Sequence, residues 1–211
     1  TYYQYLYDIP VKENLPQYSV LNYGAEYFID RIDSLVNEGT GRNYGIEFTL
    51  ERFLYKDFYF LITASLYQST YKGYDKVERS TAFNGNFAIN ALIGYEIKLK
   101  KYNSITLGFR TTYAGGRPYV PYDVNATINQ QKEVLDWGNA YEISLDNYYR
   151  ANLRIGFKRN RPKFSAELSM DLQYRTNYTS VYEHRIDPLT GEIHYNYKMA
   201  LYPMANWRIQ F

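Results

Sequence analysis

Alternation of apolar and polar residues, repeated along most of the chain, is the feature that most limits the possible fold. From Phe87 to Leu99 the odd positions are apolar, and the even positions are mostly small or polar. The same period of two returns at 103–114, 147–158 and 164–174, and helical spacing fits none of these segments. Such alternation is typical of β-strands whose two faces meet different environments. The chain is therefore predicted to be all-β and antiparallel.

Eight strands are predicted, joined alternately by short and long connections. The predicted strands are 2–8, 42–53, 57–71, 83–99, 103–114, 147–158, 164–183 and 194–211. Short turns are predicted near 54–56, 100–102 and 159–163, and long connections at 9–41, 72–82, 115–146 and 184–193. Several strands exceed the roughly nine to eleven residues that a tilted barrel strand needs to cross lipid. Short turns at one end and long loops at the other indicate an outer-membrane barrel.

The positions of the aromatic residues also indicate an outer-membrane barrel. The chain contains 27 tyrosines, and 19% of its residues are aromatic. They gather near both ends of the predicted strands, as the interfacial girdles of membrane barrels do. If the short turns are periplasmic, the long loops are extracellular and the chain ends at Phe211 in the periplasm. The alternative is a soluble β-protein, but a closed soluble barrel would keep its apolar side inside.

Composition argues against several other classes. A formal net charge of +2 without a basic stripe gives no reason to expect nucleic acid as a partner. The absence of cysteine excludes disulfides and thiolate metal sites. No run of about eighteen apolar residues predicts a transmembrane helix. A strand of a membrane barrel exposes only every second residue to lipid. The negative mean hydropathy is therefore compatible with a membrane barrel.

Four segments carry a resemblance to a known family. They are GRNYGIEFTLE from Gly41, TYAGGRPY from Thr112, RANLRI from Arg150 and LYPMANWRIQF from Leu201. Together they resemble the C-terminal part of TonB-dependent outer-membrane receptors of the Bacteroidetes type. The resemblance implies a 22-stranded barrel that holds an N-terminal plug and imports a scarce nutrient with TonB-coupled energy. The nutrient could be a siderophore, haem, cobalamin, a peptide or a glycan.

The resemblance also implies what the rest of the protein contains. Residues 1–211 correspond to the last eight strands, and the chain begins at Thr1 without an initiator Met or signal peptide. We therefore expect the plug and the earlier strands to lie upstream in a longer protein. The expected partners are outer-membrane lipid, the protein's own plug, the TonB system through that plug, and the assembly machinery. No cofactor and no enzymatic activity are expected.

The candidate site residues are polar side chains predicted to face the barrel lumen and hold the plug by charge-assisted hydrogen bonds. They are Glu47, Glu51, Glu96, Arg110, Arg150, Arg154, Glu167, Asp171, Arg175 and Arg208. Substrate recognition is expected in the long loops, chiefly 9–41 and 115–146. The alternating Trp207, Ile209 and Phe211 resemble the signal by which the assembly machinery recognises the last strand. A plain lipid-facing strand end explains the same three residues.

Two alternatives remain open at the level of sequence. Eight strands can close into a barrel by themselves, so the second hypothesis is a complete small barrel with a structural or adhesive role. It requires the strand at 2–8 to pair fully with the strand at 194–211. The third hypothesis is an outer-membrane hydrolase or a metal site. It depends on His184 and His194, which flank the last long connection. Solvated loop-end histidines are the simpler explanation.

Overall fold

A computed structural model describes residues 1–24, 34–175, 181–197 and 201–211, with the backbone alone at 175, 181–184, 196 and 197. The chain is all-β, with 65% strand and 7% helix. The strands are β1 (Tyr2–Lys12), β2 (Leu35–Tyr55), β3 (Phe58–Lys72), β4 (Glu78–Ser80), β5 (Phe87–Lys98), β6 (Asn103–Ala114), β7 (Pro118–Tyr119), β8 (Ile143–Ser144), β9 (Tyr148–Arg161), β10 (Phe164–Arg175), β11 (Val181–Ile186), β12 (Ile193–Tyr197) and β13 (Leu201–Gln210). One α-helix, α1 (Val124–Gln130), and 3-10 turns at Val20–Asn22 and Trp137–Asn139 lie in the connections.

Eight strands form one continuous antiparallel sheet in the order β1-β2-β3-β5-β6-β9-β10-β13. The short β4 pairs with β3, and β7–β8 and β11–β12 are separate two-stranded ribbons. The predicted all-β, antiparallel class is confirmed. Within the described strands β1 and β13 are the two edges of the sheet and do not pair with each other. No helix in the described ranges is long and apolar enough to cross a membrane.

Several predicted boundaries were wrong. The first strand extends to Lys12 through an irregular register near Asp8, whose φ is 53°. Pro10 is tolerated there because an edge strand does not need every N–H. The second strand begins at Leu35 rather than residue 42, so it is 21 residues long and carries the sheet beyond the other strands.

The predictions around the last long connection were also wrong. The segments 164–183 and 194–211 were each expected to be one strand. Instead, β10 ends at Arg175, β11 pairs with β12, and β13 begins at Leu201. The alternation continues through all four segments, so periodicity alone does not reveal where pairing partners change.

The three short turns lie at the same end of the sheet. Lys56 and Asp57 join β2 to β3 with φ of 49° and 67°, the backbone of a type I′ turn, whose twist matches that of the strands. Lys101 and Tyr102, between β5 and β6, also have positive φ. The end of β13 lies at this same end, because Gln210 pairs with Ser165 at the start of β10.

The few buried residues are concentrated at the opposite end, among the long connections. The buried apolar set is Val11, Tyr71, Ala82, Val120, Ala140 and Ile186. In the middle of the sheet the pattern is reversed, since Leu168 and Met170 are each 59% exposed while Ser169 between them is 3% exposed. The apolar side of the sheet is therefore the more exposed side.

Candidate functional site

The predicted polar positions share one face of the sheet, which we call the polar face. The register runs Glu96–Thr106–Gly156–Ser169–Asn206 across five strands. Neighbouring rows of the same face contain the predicted site residues. These are Glu47, Glu51, Arg110, Arg150, Arg154, Glu167, Asp171, Arg208 and position 175. Contact of this face with a plug stays a prediction.

A charged cluster joins β9, β10 and β13 on the polar face. The guanidinium of Arg154 lies 3.0 Å from Glu167 Oε1 and 3.6 Å from Asp171 Oδ2. The Nδ2 of Asn206 donates to the same Asp171 oxygen at 3.0 Å. One guanidinium therefore bridges two carboxylates, and charge-assisted bonds of this kind fix side-chain positions more firmly than neutral ones.

Hydrogen bonds to amide oxygens extend the network towards the loops. Arg150 donates to Asn152 Oδ1 at 3.1 Å and to Gln173 Oε1 at 2.9 Å. On the next strands, Thr112 Oγ1 donates to Asn90 Oδ1 at 2.8 Å. In the described part of the chain Arg150 therefore donates to amide oxygens and forms no ion pair with a carboxylate.

Three hydroxyls between the centre of the polar face and its short-turn end have no partner among the described residues. The side-chain oxygens of Ser104, Thr106 and Ser169 are buried and make no hydrogen bond to any described residue. Ser169 also lines a hollow of about 240 Å³, whose other lining residues are Arg154, Glu167, Asn206, Trp207 and Arg208. Buried hydroxyls are normally satisfied, so an unsatisfied group calls for an explanation.

Glycine shapes another part of the polar face. The ring of Tyr59 lies directly over Gly94, where any Cβ would collide with it. The register places the two residues opposite each other on β3 and β5. An aromatic ring laid over a glycine protects the otherwise open backbone and helps to pin strand register.

The other face of the sheet, which we call the apolar face, carries rows of large apolar side chains. One row is Phe60–Ile93–Phe109–Leu153–Leu172, across β3, β5, β6, β9 and β10. Four of these five side chains, all except Phe60, are exposed. Near the short turns, the guanidinium of Arg52 lies 5.2 Å from the Tyr55 ring centroid and 5.6 Å from that of Phe58. This places a cation and aromatic rings at the edge of an aliphatic band.

The long connections pack into a loop cap, which we define as residues 9–24, 73–86, 115–147 and 186–192. Tyr71, at the end of β3, anchors it by donating to the carbonyl of Gln17 at 2.5 Å and by packing edge-on against Tyr141. Burial raises the pKa of the Tyr71 phenol well above its usual value. Asn22 accepts the backbone N–H of Ala82 at 2.8 Å, which ties the first connection to the second.

The third and fourth connections also meet within the loop cap. Gly191, with a φ of 73°, sits so close to α1 that a Cβ there would be 2.8 Å from Ile128 Cδ1. Asp123 accepts the N–H of Ala126 at 2.8 Å and caps the start of α1. Among the described residues the first and third connections also meet, since the ring centroids of Tyr18 and Trp137 lie 6.4 Å apart.

The residues of the predicted assembly signal lie on β13 and directly after it. Trp207 and Ile209 lie on the apolar face, opposite Leu168 and Ala166, and both are exposed. Phe211 follows β13 and is fully exposed. Their role in assembly stays a prediction.

The two histidines lie in the β11–β12 ribbon but not in the same row. His184 pairs with Tyr195, and His194 pairs with Arg185. Throughout the described part of the chain, no three His, Cys, Asp or Glu residues are grouped to hold a metal ion.

Sequence reasoning missed the network inside the loop cap. Asn22, Asn84 and Tyr71 are buried and join segments that are far apart in sequence. Only Asn84-Gly85, a turn signal, marked one of them in the sequence.

Comparisons of the chain with family models, curated proteins and solved structures found no match.

Proposed function

We propose that this chain forms the last part of the wall and the extracellular rim of an outer-membrane, TonB-dependent nutrient receptor. In this proposal the apolar face contacts lipid, the polar face lines the lumen and contacts the plug, and the loop cap faces the outside. The plug and the energy coupling lie elsewhere in the protein. The chain itself is a transport component without a catalytic role.

The observation that carries the proposal is the reversal of exposure along the strands. Exposed large apolar side chains lie on the apolar face in each of the eight strands of the sheet, whereas soluble monomers rarely expose large contiguous apolar patches. A lipid environment would make this arrangement stable, because each of those side chains would leave water. The segregation of short turns and long loops to opposite ends supports the same proposal.

The open sheet favours a part of a larger barrel over a complete barrel of eight strands. The smaller barrel needs β1 and β13 to pair, and in the described strands they stand at opposite edges. Two unpaired edges present rows of N–H and C=O groups that lipid cannot satisfy. Further strands on both sides would satisfy them, as the receptor proposal requires.

The topology can be tested by labelling, since the chain contains no cysteine of its own. We expect Thr190→Cys, in the exposed tip between β11 and β12, to react with a membrane-impermeant maleimide in intact cells. Its matched control, Lys101→Cys in the β5–β6 turn, should react only after the outer membrane is permeabilised. A protein recovered in the soluble fraction, or equal labelling of both sites in intact cells, would contradict the proposal.

The transport function needs a separate experiment. A strain that lacks the full-length protein should grow normally in rich medium and poorly when one nutrient is limiting. Media limited in iron, cobalamin, peptides or glycans would identify which nutrient is concerned. Restoration of growth by the wild-type gene should require a functional TonB system, and restoration without TonB would reject an energy-coupled receptor.

A further inference from the structure

The two ends of the sheet differ in charge. We call residues 52–58, 98–103 and 158–164 the turn rim, because they form the three short turns and the strand ends beside them. The turn rim contains nine Lys or Arg residues and one acidic residue, Asp57, which is paired with Lys98. The loop cap, by contrast, contains ten acidic residues and five basic ones. The positive charge of the chain is therefore concentrated at the short-turn end.

The cations on the polar face of the turn rim have carboxylates beside them. Lys98 forms an ion pair with Asp57 and is two residues from Glu96 on the same face. Lys158 lies opposite Glu167 in the register. These charges are compensated within the chain, so they give no reason to expect an outside partner.

Three arginines of the turn rim lie on the apolar face, where their surroundings are different. Arg159 and Arg161 continue the apolar-face positions of β9 beyond Phe157, and Arg52 lies opposite Phe60. No apolar-face position on β3, β6, β9 or β10 carries an acidic residue. All three arginines are exposed, and none forms an ion pair with a described residue. Their charges therefore lie uncompensated at the edge of the aliphatic band.

A neighbouring turn brings a further cation to Arg159 and Arg161. The N–H of Asn160 donates to the carbonyl of Tyr102 at 2.8 Å, so the β5–β6 turn lies against the end of β9. Lys101, directly before Tyr102 in this turn, is also exposed. Arg159 and Arg161 are separated by about 7 Å along the strand. At that separation two guanidinium groups can contact the same phosphate group.

From these observations we infer that the apolar-face side of the turn rim binds the headgroups of anionic phospholipids in the membrane leaflet at the short-turn end. The presence of a membrane rests on the proposed function, and the choice of a charged lipid class goes beyond it. A basic side chain next to an anionic leaflet strengthens the attraction by about fivefold. Arg52 lies over the rings of Tyr55 and Phe58, and long cationic and aromatic side chains meet at the headgroup level in membrane proteins.

The position of the arginines favours lipid over a water-soluble acidic partner. The exposed side chains of Phe157, Leu168 and Trp207 lie on the same face, one alternation further from the turns. A water-soluble partner that reached Arg159 would leave these side chains in water or would have to cover them. A phospholipid supplies acyl chains for the apolar side chains and a phosphate for the arginines within one molecule.

Two alanines on the apolar face allow a matched test. Ala166 lies opposite Arg159, whereas Ala151 is eight residues before Arg159 on β9, about 26 Å away along the strand. The full-length protein, otherwise free of cysteine, is purified with Ala166→Cys or Ala151→Cys, labelled with bimane and reconstituted in phosphatidylcholine vesicles. The vesicles contain a minor fraction of either phosphatidylglycerol or phosphatidylcholine with brominated acyl chains, which quench a nearby label.

The expected result is a local preference for the anionic lipid at position 166 alone. Brominated phosphatidylglycerol should associate next to the label at 166 at least about threefold more strongly than brominated phosphatidylcholine. At 151 the two lipids should quench equally. Arg159→Gln combined with Arg161→Gln should abolish the preference at 166, and Lys132→Gln, at an exposed position of the loop cap, should leave it unchanged. If the double variant fails to insert, wild-type arginines in about 1 M salt should show a weakened preference, because the Debye length is then about 3 Å.

Equal quenching by both lipids at 166 would overturn the inference and would leave the cations to a water-soluble acidic partner, while the membrane location would stand. A preference that is the same at 151 and 166, or that survives the arginine changes, would also reject the turn rim as its source. Loss of the preference on addition of inorganic phosphate at constant ionic strength would assign the arginines to a free anion. Quenching of neither label by either lipid would reject the proposed membrane location, and the lipid inference with it.

Discussion

The loop cap and the middle of the sheet distribute their apolar residues in opposite ways. In the loop cap Val11, Val120 and Ala140 are buried, as in a water-soluble protein. In the middle of the sheet Leu153, Ile155 and Leu168 point away from the rest of the chain and are exposed. The same hydrophobic effect explains both if the two regions have different surroundings, water around the loop cap and lipid around the sheet.

The comparison also separates two kinds of stabilisation. The loop cap is held by hydrogen bonds and side-chain packing between connections that are distant in sequence, such as Tyr71 with Gln17. The sheet is held mainly by backbone pairing between sequential neighbours, supplemented by polar-face bonds such as that of Arg154 with Glu167. Substitutions should therefore act locally in the loop cap, and in the sheet their effect should depend on which face they alter.

The largest expected effect is in the loop cap. Tyr71→Ala removes a fully buried ring and should destabilise the loop cap by about 3–5 kcal/mol. Tyr71→Phe keeps the ring, leaves the Gln17 carbonyl without its donor, and should cost about 1–3 kcal/mol. Hydrogen exchange of the segments 9–24 and 73–86 would measure both. An unchanged exchange rate in Tyr71→Ala would mean that the loop cap is not a cooperative unit.

The next effect tests the two faces of the sheet with adjacent residues. Thr49 and Leu50 are both exposed on β2 but lie on opposite faces. In lipid vesicles, Leu50→Arg should cost about 2–4 kcal/mol, because the charge enters the hydrocarbon region. Thr49→Arg should cost about 1 kcal/mol or less, because a lumen-facing charge stays hydrated.

Urea unfolding of the full-length protein in vesicles would measure this difference. Equal, small costs at both positions are what a soluble sheet predicts, since both side chains are exposed. That outcome would remove the contrast between the loop cap and the sheet, and with it the proposed membrane location.

The smallest effect concerns pH and the loop cap. A side-chain hydrogen bond from Arg79 holds the pKa of Asp75 below its ordinary value, and Asp75 also accepts the N–H of Val77 at 3.1 Å. A carboxyl with a depressed pKa stabilises the fold above its unfolded value near 3.8, and this contribution is lost as the pH falls through the lower folded value.

Asp75→Asn should therefore weaken the turn at 75–79 by about 1 kcal/mol or less at pH 7, and by almost nothing once the pH is below the lowered folded pKa of Asp75. Exchange of the Val77 amide at the two pH values would measure it. A difference between variant and wild type that grows as the pH falls would contradict the assigned ion pair.

Much of the sheet could be predicted from local pattern. Register follows from the period of two once the short turns are placed, and the turns at 54–56 and 100–102 were placed within a few residues. The ribbon β11–β12 could not be predicted in this way. Its residues alternate like those of the main sheet, and only the choice of pairing partner distinguishes the two.

The candidate site divides in the same manner. That Arg154, Glu167 and Asp171 share a face follows from parity along the chain and was predicted. That Arg154 bridges both carboxylates, while Arg110 and Arg208 form no ion pair with any described residue, depends on side-chain reach across strands. Ser169 follows the same alternation as Glu167 and Asp171, but its neighbours on the sheet bury it.

The sequence alone determined the strand class, the two faces and the segregation of turns from loops, because each is a local, periodic property. Only the tertiary structure decided where the sheet ends, which connections pack into the loop cap, and which cation lies beside the two carboxylates of β10. Those properties depend on contacts between segments far apart in the chain. No period in the sequence encodes them.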